Sequence, residues 1–245
     1  MSRPASWASA VLAQAGVEAR LTARRGENLL AMVVVPVGVL LFIGGVVLAG
    51  SPIGPTLPGT LALAIVASGL VNLGIATAYE RGYGVLKRLG GSPLGRSGLV
   101  AAKLGVVVAI GVAQVLAILA VAALVLGWRP GPDASALAVA VTTVAGSAAF
   151  TGLGLTIAGT FRPEGALVAA NLLFLLAVGV GGALVPIGDL PAPVAVVVRV
   201  LPLGALTDAF GAALGSGAEI LRPLAIVAAW AVGSIVVAAR TFRWD

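Results

Sequence analysis

The residue types that carry most enzyme chemistry are scarce in this sequence. Its 245 residues include 9 acidic and 15 basic side chains, but no Cys and no His. Thiolate chemistry, disulfides, imidazole general bases and the usual zinc or haem ligands are therefore excluded. A phosphate-binding loop requires Gly-Lys-Ser/Thr, yet Lys87 follows Leu86 and Lys103 follows Ala102. The chain is expected to have no catalytic residue, metal or bound cofactor, and not to hydrolyse ATP by that route.

The positions of the carboxylates argue against two functional classes. Asp189, Asp208 and Glu219 lie in one connector, without a His to complete a metal or nucleophile site. A membrane-embedded lipid-modifying enzyme is therefore the weakest alternative. Ion-coupled transporters place charged side chains inside spans, whereas the acidic residues here fall in predicted tails, turns and connectors. An ion-independent channel or secondary transporter is an alternative that stays open.

The composition indicates an integral membrane protein. The chain is 60% hydrophobic and 10% charged, with a mean hydropathy of +1.12, whereas soluble domains have about 25% charged residues. The 34 Gly residues favour helices that pack closely in lipid over alternating barrel strands. We therefore predict an all-α fold in which residues 1–245 form a single membrane domain.

Apolar runs separate the chain into predicted elements. Six runs come close to the ~20 residues that a spanning helix needs, at 29–49, 60–78, 99–126, 134–160, 166–185 and 223–239. Residues 1–28 are predicted to form an amphipathic helix at the membrane interface. Residues 186–221 hold two short apolar pieces separated by Pro202, neither long enough to cross. They are predicted to form a re-entrant helical hairpin in the outer leaflet between spans five and six.

The distribution of basic residues predicts the orientation. With six spans, only Arg129, Arg199 and Arg222 of the 15 basic residues fall on one side, which leaves twelve on the other. Cytoplasmic segments carry the excess of Lys and Arg. Both termini are therefore predicted to lie in the cytoplasm.

Charge concentrates between spans two and three, in residues 79–94, YERGYGVLKRLGGSPL. At about 100° per residue, Tyr79 and Tyr83 fall on the apolar side of a helix with Leu86 and Leu89. The charged side chains fall on the other side, namely Glu80, Arg81, Lys87 and Arg88. Pro93 ends the pattern. The segment is predicted to be one helix at the membrane surface with its cationic face in water.

The order of residues in this segment resembles the coupling helix of ABC type-2 exporter permeases, and the chain resembles their bacterial antibiotic-resistance and daunorubicin-resistance members. The matching residues are Glu80, Arg81, Gly84, Leu86, Lys87, Arg88, Leu89, Ser92, Pro93 and Leu94. Two positions depart from the family pattern, since Gly82 replaces a common acidic residue and Gly90 a common basic one. The Pro-rich connector after span five is also similar to the re-entrant hairpin of these permeases.

The resemblance implies a non-catalytic permease subunit in a bacterial inner membrane. Its expected partners are two ABC ATPase subunits that bind ATP and Mg²⁺, a second permease copy or related permease, and membrane lipids. The ten matching residues would contact the ATPases. The expected substrate is a hydrophobic small molecule, drug or lipid, exported by alternating access.

Neutral polar residues within the spans carry a further prediction. Asn72, Gln114 and Asn171 can hydrogen-bond between helices, as such residues commonly do. Spans two and five face the dimer interface in the family that the chain resembles. Asn72 and Asn171 are therefore expected to line the substrate path, and Gln114 is a third candidate.

Overall fold

The computed structural model describes residues 6–24, 26–42, 53–90, 94–180 and 185–241. Over these residues the chain is helical, with no strand. The apolar composition and the long helices confirm the prediction of an all-α membrane protein.

Eleven α-helices are described, and we number them in chain order. They are α1 (Trp7–Arg24), α2 (Gly26–Phe42), α3 (Leu57–Val66), α4 (Leu73–Gly82), α5 (Val85–Gly90), α6 (Gly95–Leu124), α7 (Ala136–Thr160), α8 (Pro163–Val180), α9 (Ala192–Val200), α10 (Pro202–Ala213) and α11 (Leu221–Thr241). A π-helical segment, Ala67–Asn72, joins α3 to α4, so that Leu57–Gly82 is one continuous helical run. A 3₁₀ turn, Ile187–Asp189, precedes α9.

Four of the described helical runs are long and apolar enough to cross a membrane: Leu57–Gly82, Ser97–Leu124, Ala136–Thr160 and Leu221–Thr241. They correspond to predicted spans two, three, four and six. Predicted span five corresponds to α8, which is shorter, and α2 covers the part of span one that the structure describes. Residues 43–49 of span one and 181–184 of span five lie outside the described residues.

Two short helices occupy the connector that the sequence divides at Pro202. α9 and α10 meet at an angle of 90°, because Leu201 is extended and Pro202 begins the next helix. α10 is largely buried and packs against α3, α7 and α11. The bent pair has the dimensions of a broken span or a re-entrant loop.

Helix α7 lies at the centre of the fold and packs most extensively against α11. At the crossing, a Cβ on Gly152 would lie 2.2 Å from Ser234 Oγ and 2.7 Å from Ile235 N. Ser234 Oγ donates a hydrogen bond to Ala149 O at 3.0 Å. Small residues allow helix backbones to approach closely in lipid, and here that approach positions α7 for its contacts with α4 and α6.

Helix α1 confirms the predicted helical segment near the start of the chain. It packs along α6, with Val11 partly buried, while Trp7 and Leu21 are about half exposed. Exposed apolar side chains beside a bundle of spanning helices are typical of an interfacial helix.

Candidate functional site

The segment predicted as one helix over 79–94 contains two helices. α4 ends at Gly82, Gly84 has a φ of 71°, and α5 begins at Val85. The Gly84 backbone N–H donates to Arg81 O at 2.9 Å and closes the last turn of α4. Positive φ is routine for glycine and strained for other residues. The prediction of a continuous helix is therefore wrong, and Gly84 is the residue that separates the two helices.

Glu80 points into the protein and pairs with a lysine of α6. Its Oε2 lies 2.8 Å from Lys103 Nζ, and Lys103 is only 1% exposed. Glu18 of α1 contacts the same ammonium through Oε1 at 2.9 Å and accepts a hydrogen bond from Gln14 Nε2 at 3.0 Å. A buried ammonium requires a charged partner, so the prediction that Glu80 faces water is wrong. We call Glu18, Glu80 and Lys103 the charge cluster.

Arg81 also turns inward, toward the end of α7. Its guanidinium donates to Gly159 O at 2.6 Å and to Phe161 O. The last carbonyls of a helix have no partner within the helix, and an arginine can bond two of them because its donors form a planar fork. Arg81 therefore ties α4 to α7, which corrects the prediction that it lies on a water-facing cationic surface.

The exposed charge of this segment lies on α5. Lys87 and Arg88 are exposed, while Leu86 is fully buried and Leu89 is partly buried. Leu86 belongs to an apolar cluster with Leu94, Leu99, Val100, Leu155 and Ala238. The cluster fixes α5 against α6, α7 and α11 and leaves its basic side chains on the surface.

Three further residues of the predicted coupling site are at the end of this segment. Leu94 is 5% exposed and packs in the Leu86 cluster. Ser92 and Pro93 lie outside the described residues. The ten predicted residues thus differ in their surroundings. Glu80 and Arg81 bond to other helices, Leu86 and Leu94 are buried, and Lys87 and Arg88 are exposed on α5.

One of the two departures from the family pattern has a packing explanation. A Cβ on Gly82 would lie 2.9 Å from Pro163 Cγ, and the proline ring cannot move aside as a flexible chain end would. Gly82 therefore allows the end of α4 to meet the start of α8, and an acidic side chain would not fit without a shift.

A cavity of about 1030 Å³ lies beside this segment. Its wall includes Tyr79, Glu80 and Tyr83 from α4 and its C-terminal turn, and Glu18 from α1. The rest of the wall is mainly aliphatic and comes from α1 to α5, the π-helical segment and α8. Ligand pockets typically have volumes of roughly 300–1,000 Å³ and mostly apolar linings, so the cavity can hold a drug-sized molecule.

Asn72 and Asn171 both line this cavity, although 99 positions separate them in the chain. Asn72 ends the π-helical segment, and Asn171 Nδ2 donates to Leu167 O at 2.8 Å. Gln114 is 1% exposed on α6 and does not line the cavity. The structure thus brings together two of the three predicted path residues.

The π-helical segment is the irregular part of the cavity wall. Ala67, Val71 and Asn72 belong to both. On the opposite face, a Cβ on Gly69 would lie 3.0 Å from Thr151 N, so the segment is packed tightly against α7. Single π turns within α-helices are frequent at functional sites.

Sequence reasoning did not single out Glu18 and Lys103 as site residues. A sequence signal existed for Lys103, because it is the one ionisable residue within positions 97–128, a long apolar run. Ionisable residues within apolar helices almost always face the bundle interior and pair with other groups. The partners themselves come from α1 and α4, which local sequence does not indicate.

A second cavity, of about 760 Å³, lies at the other end of the bundle. Arg129, Arg199 and Arg222 all line it, and these are the three basic residues that the charge bias assigns to the minority side. Arg199 Nε lies 3.3 Å from Asp208 Oδ2. The basic residues of the two ends are therefore segregated in space.

A family model described as ABC-2 type transporter matches residues 11–214. The match begins within α1 and extends through α10, and it therefore includes the charge cluster, α5 and the cavity wall. No match was found to a curated protein or to a solved structure. The chain is a multi-pass membrane protein that belongs to the ABC-2 type transporter family, as the permease subunit of an ABC transporter.

Proposed function

We propose that this chain is the membrane-spanning half of an ATP-driven exporter in a bacterial inner membrane. Two permease subunits, identical or related, form the pathway, with both termini of this chain in the cytoplasm. Two ATPase subunits bind beneath them and hold the ATP and Mg²⁺. The substrate is a hydrophobic small molecule, drug or lipid-like compound that leaves the cytoplasm or the inner leaflet.

The observation that carries this proposal is a difference between α4 and α5: α5 presents exposed charged residues, whereas the charged residues of α4 bond to other helices. Lys87 and Arg88 are exposed on α5, where a partner can reach them. Glu80 and Arg81, one turn before α5, are bonded to Lys103 of α6 and to the end of α7. A partner that displaces α5 would therefore move α4, α6 and α7 together as a rigid body.

The same displacement would reach the cavity. α4 and the π-helical segment form part of its wall, with Asn72 and Tyr79 among the lining residues. Movement of α4 relative to α2 and α8 would change the shape and exposure of the cavity. This supports alternating access with the cavity as the inward-facing part of the substrate path.

The proposed ATPase contact can be tested by charge reversal on α5. The chain, carrying an affinity tag, is purified in mild detergent from its native host, and the copurifying ATPase is quantified by its activity and by mass spectrometry. The double variant Lys87→Glu/Arg88→Glu should lose most of the ATPase. A matched control, Arg129→Glu/Arg222→Glu, reverses two exposed charges at the opposite end and should retain it.

Two results would contradict the proposal. The wild-type chain purifying without any ATPase would remove the basis for an ATP-driven exporter. Equal loss of the ATPase in both charge-reversal variants would show that α5 is not a specific contact. Orientation is tested separately by labelling single cysteines at Thr241 and Asp133 in intact cells, because the chain has no native Cys.

A further inference from the structure

We propose that the large cavity selects amphipathic cations, through Glu18 and Glu80 at its charged end. This inference rests on the proposed function, because it assigns a substrate class to the same cavity. Among the described residues of the wall, Glu18 and Glu80 are the only charged ones. The cavity therefore presents negative charge at one end and an apolar surface elsewhere.

The charge cluster has an excess of negative charge. It contains two carboxylates and one ammonium, and Lys103 is the one cation paired with them among the described residues. Glu18 and Glu80 line both the large cavity and an adjoining space of about 40 Å³, which Lys103 lines as well. Lys103 does not line the large cavity. The carboxylates thus lie between the lysine and the cavity, and a cationic ligand would neutralise the excess charge.

The two tyrosines at the charged end of the cavity also favour a cationic ligand. Tyr79 and Tyr83 line the cavity, with ring centroids 6.1 Å apart. Tyrosine faces attract organic cations through the ring quadrupole, and neither ring requires the ligand to donate a hydrogen bond. Quaternary ammonium and phosphonium groups would therefore be accepted as well as protonated amines.

The remainder of the wall fits the apolar part of such a ligand. Leu63, Val71, Ile75, Phe174 and Val178 present hydrocarbon surface. Asn72 and Asn171 are neutral and do not oppose a cation. An organic anion of the same size would meet the same apolar surface but would be repelled by the carboxylates, so the structure predicts discrimination by the sign of the charge.

The test compares two ions that share a tetraphenyl framework and differ in the sign of their charge. Binding of tetraphenylphosphonium and of tetraphenylborate to the full chain in lipid nanodiscs is measured by equilibrium dialysis, with empty discs subtracted. We expect the phosphonium to bind at least about tenfold more tightly than the borate, since one unit charge at close range in a partly buried site has this order of effect. Glu18→Gln and Glu80→Gln should each reduce phosphonium binding about tenfold.

A second variant leaves all three residues of the charge cluster unchanged. Asn72→Asp adds a carboxylate to the wall, and Asn72 has no ion pair with Lys103. It should strengthen phosphonium binding and weaken borate binding even if the Glu80→Gln protein folds poorly. Asp133→Asn is the control, because it removes an exposed carboxylate from the turn between α6 and α7, and it should change neither affinity.

The outcomes separate this inference from the proposed function. Equal binding of both ions, unaffected by Asn72→Asp, would overturn the ligand class. If the same preparation still retains its ATPase through α5, the permease assignment stands. A second copy of the chain as the occupant would also overturn the inference: single cysteines at Val39 and Phe174 would then cross-link two chains, and neither ion would bind.

Discussion

Lys103 Nζ lies 2.8 Å from Glu80 Oε2. The lysine belongs to α6, a helix of 30 residues that is otherwise largely apolar. The pair joins α6 to the end of α4, and Glu18 extends it to α1. Removing one member of a buried ion pair leaves an uncompensated charge. The charge cluster therefore makes the relative positions of three helices interdependent.

Lys103→Met should be strongly destabilising. It leaves two carboxylates close together without their ammonium, and loss of one partner of a buried pair costs about 3–5 kcal/mol. The measurement is the apparent midpoint of thermal unfolding in detergent. Lys87→Met removes an exposed lysine instead and should leave the midpoint unchanged.

The triple variant Glu18→Gln/Glu80→Gln/Lys103→Met provides the complementary test. It removes all three charges, and an uncharged replacement of a buried ion pair is often tolerated. It should recover much of the stability that Lys103→Met loses. A midpoint as low as that of the single variant would contradict the ion-pair explanation.

Arg81→Ala should separate structural from partner-binding roles. It removes two hydrogen bonds from a charged donor to the end of α7, each worth about 1.5–3 kcal/mol, and should lower the unfolding midpoint while ATPase copurification persists. Lys87→Glu/Arg88→Glu should do the reverse. Loss of the ATPase from folded Arg81→Ala protein would show that Arg81 contacts the partner directly.

Gly84→Ala should destabilise the junction of α4 and α5. A Cβ at this position has open space, with no atom within 4 Å, so the penalty comes from the φ of 71° alone. It should be about 1–2 kcal/mol, measured by thermal unfolding. Gly105→Ala also has open space but lies within α6, where Ala is favoured by about 1 kcal/mol. Similar effects of the two variants would rule out the backbone explanation.

Gly152→Ala should weaken the packing of α7 against α11. The added Cβ would lie 2.7 Å from Ile235 N, so the helices must separate, and overpacking of this kind costs about 1–3 kcal/mol. Gly233→Ala, on α11 with no atom within 4 Å of the new Cβ, is the matched control. Equal unfolding midpoints for wild type and Gly152→Ala would contradict this close approach.

If the proposed export function holds, Asn72→Ala/Asn171→Ala should alter which compounds are exported. Both residues line the cavity, and the exchange removes two amides without adding bulk. Export is measured as protection of cells against a panel of toxic compounds, and copurification of the ATPase should persist. Thr241→Ala is the control, because Thr241 also bonds to a carbonyl four residues earlier but lies at the exposed end of α11. An unchanged export profile in the double variant would remove these residues from the path.

Local sequence properties determined the helical class and the approximate positions of the long apolar helices. The predicted span 134–160 and the observed Ala136–Thr160 differ by two residues, because hydropathy and the polar turns at its ends are local signals. Pro202 likewise marked the break between α9 and α10, since proline begins helices and disfavours helical conformation in the residue before it. The order of residues from Glu80 to Leu94 was sufficient to identify the family.

Only the tertiary structure decided what those residues contact. A helical-wheel projection placed Glu80 and Arg81 in water, but their partners Lys103 and Gly159 come from other helices. The break at Gly84 was hidden because glycine permits both helical and left-handed conformations. Asn72 and Asn171 came to line one cavity through the packing of the π-helical segment against α8. Ion pairs and cavities depend on contacts between distant segments, which hydropathy and helix propensity do not encode.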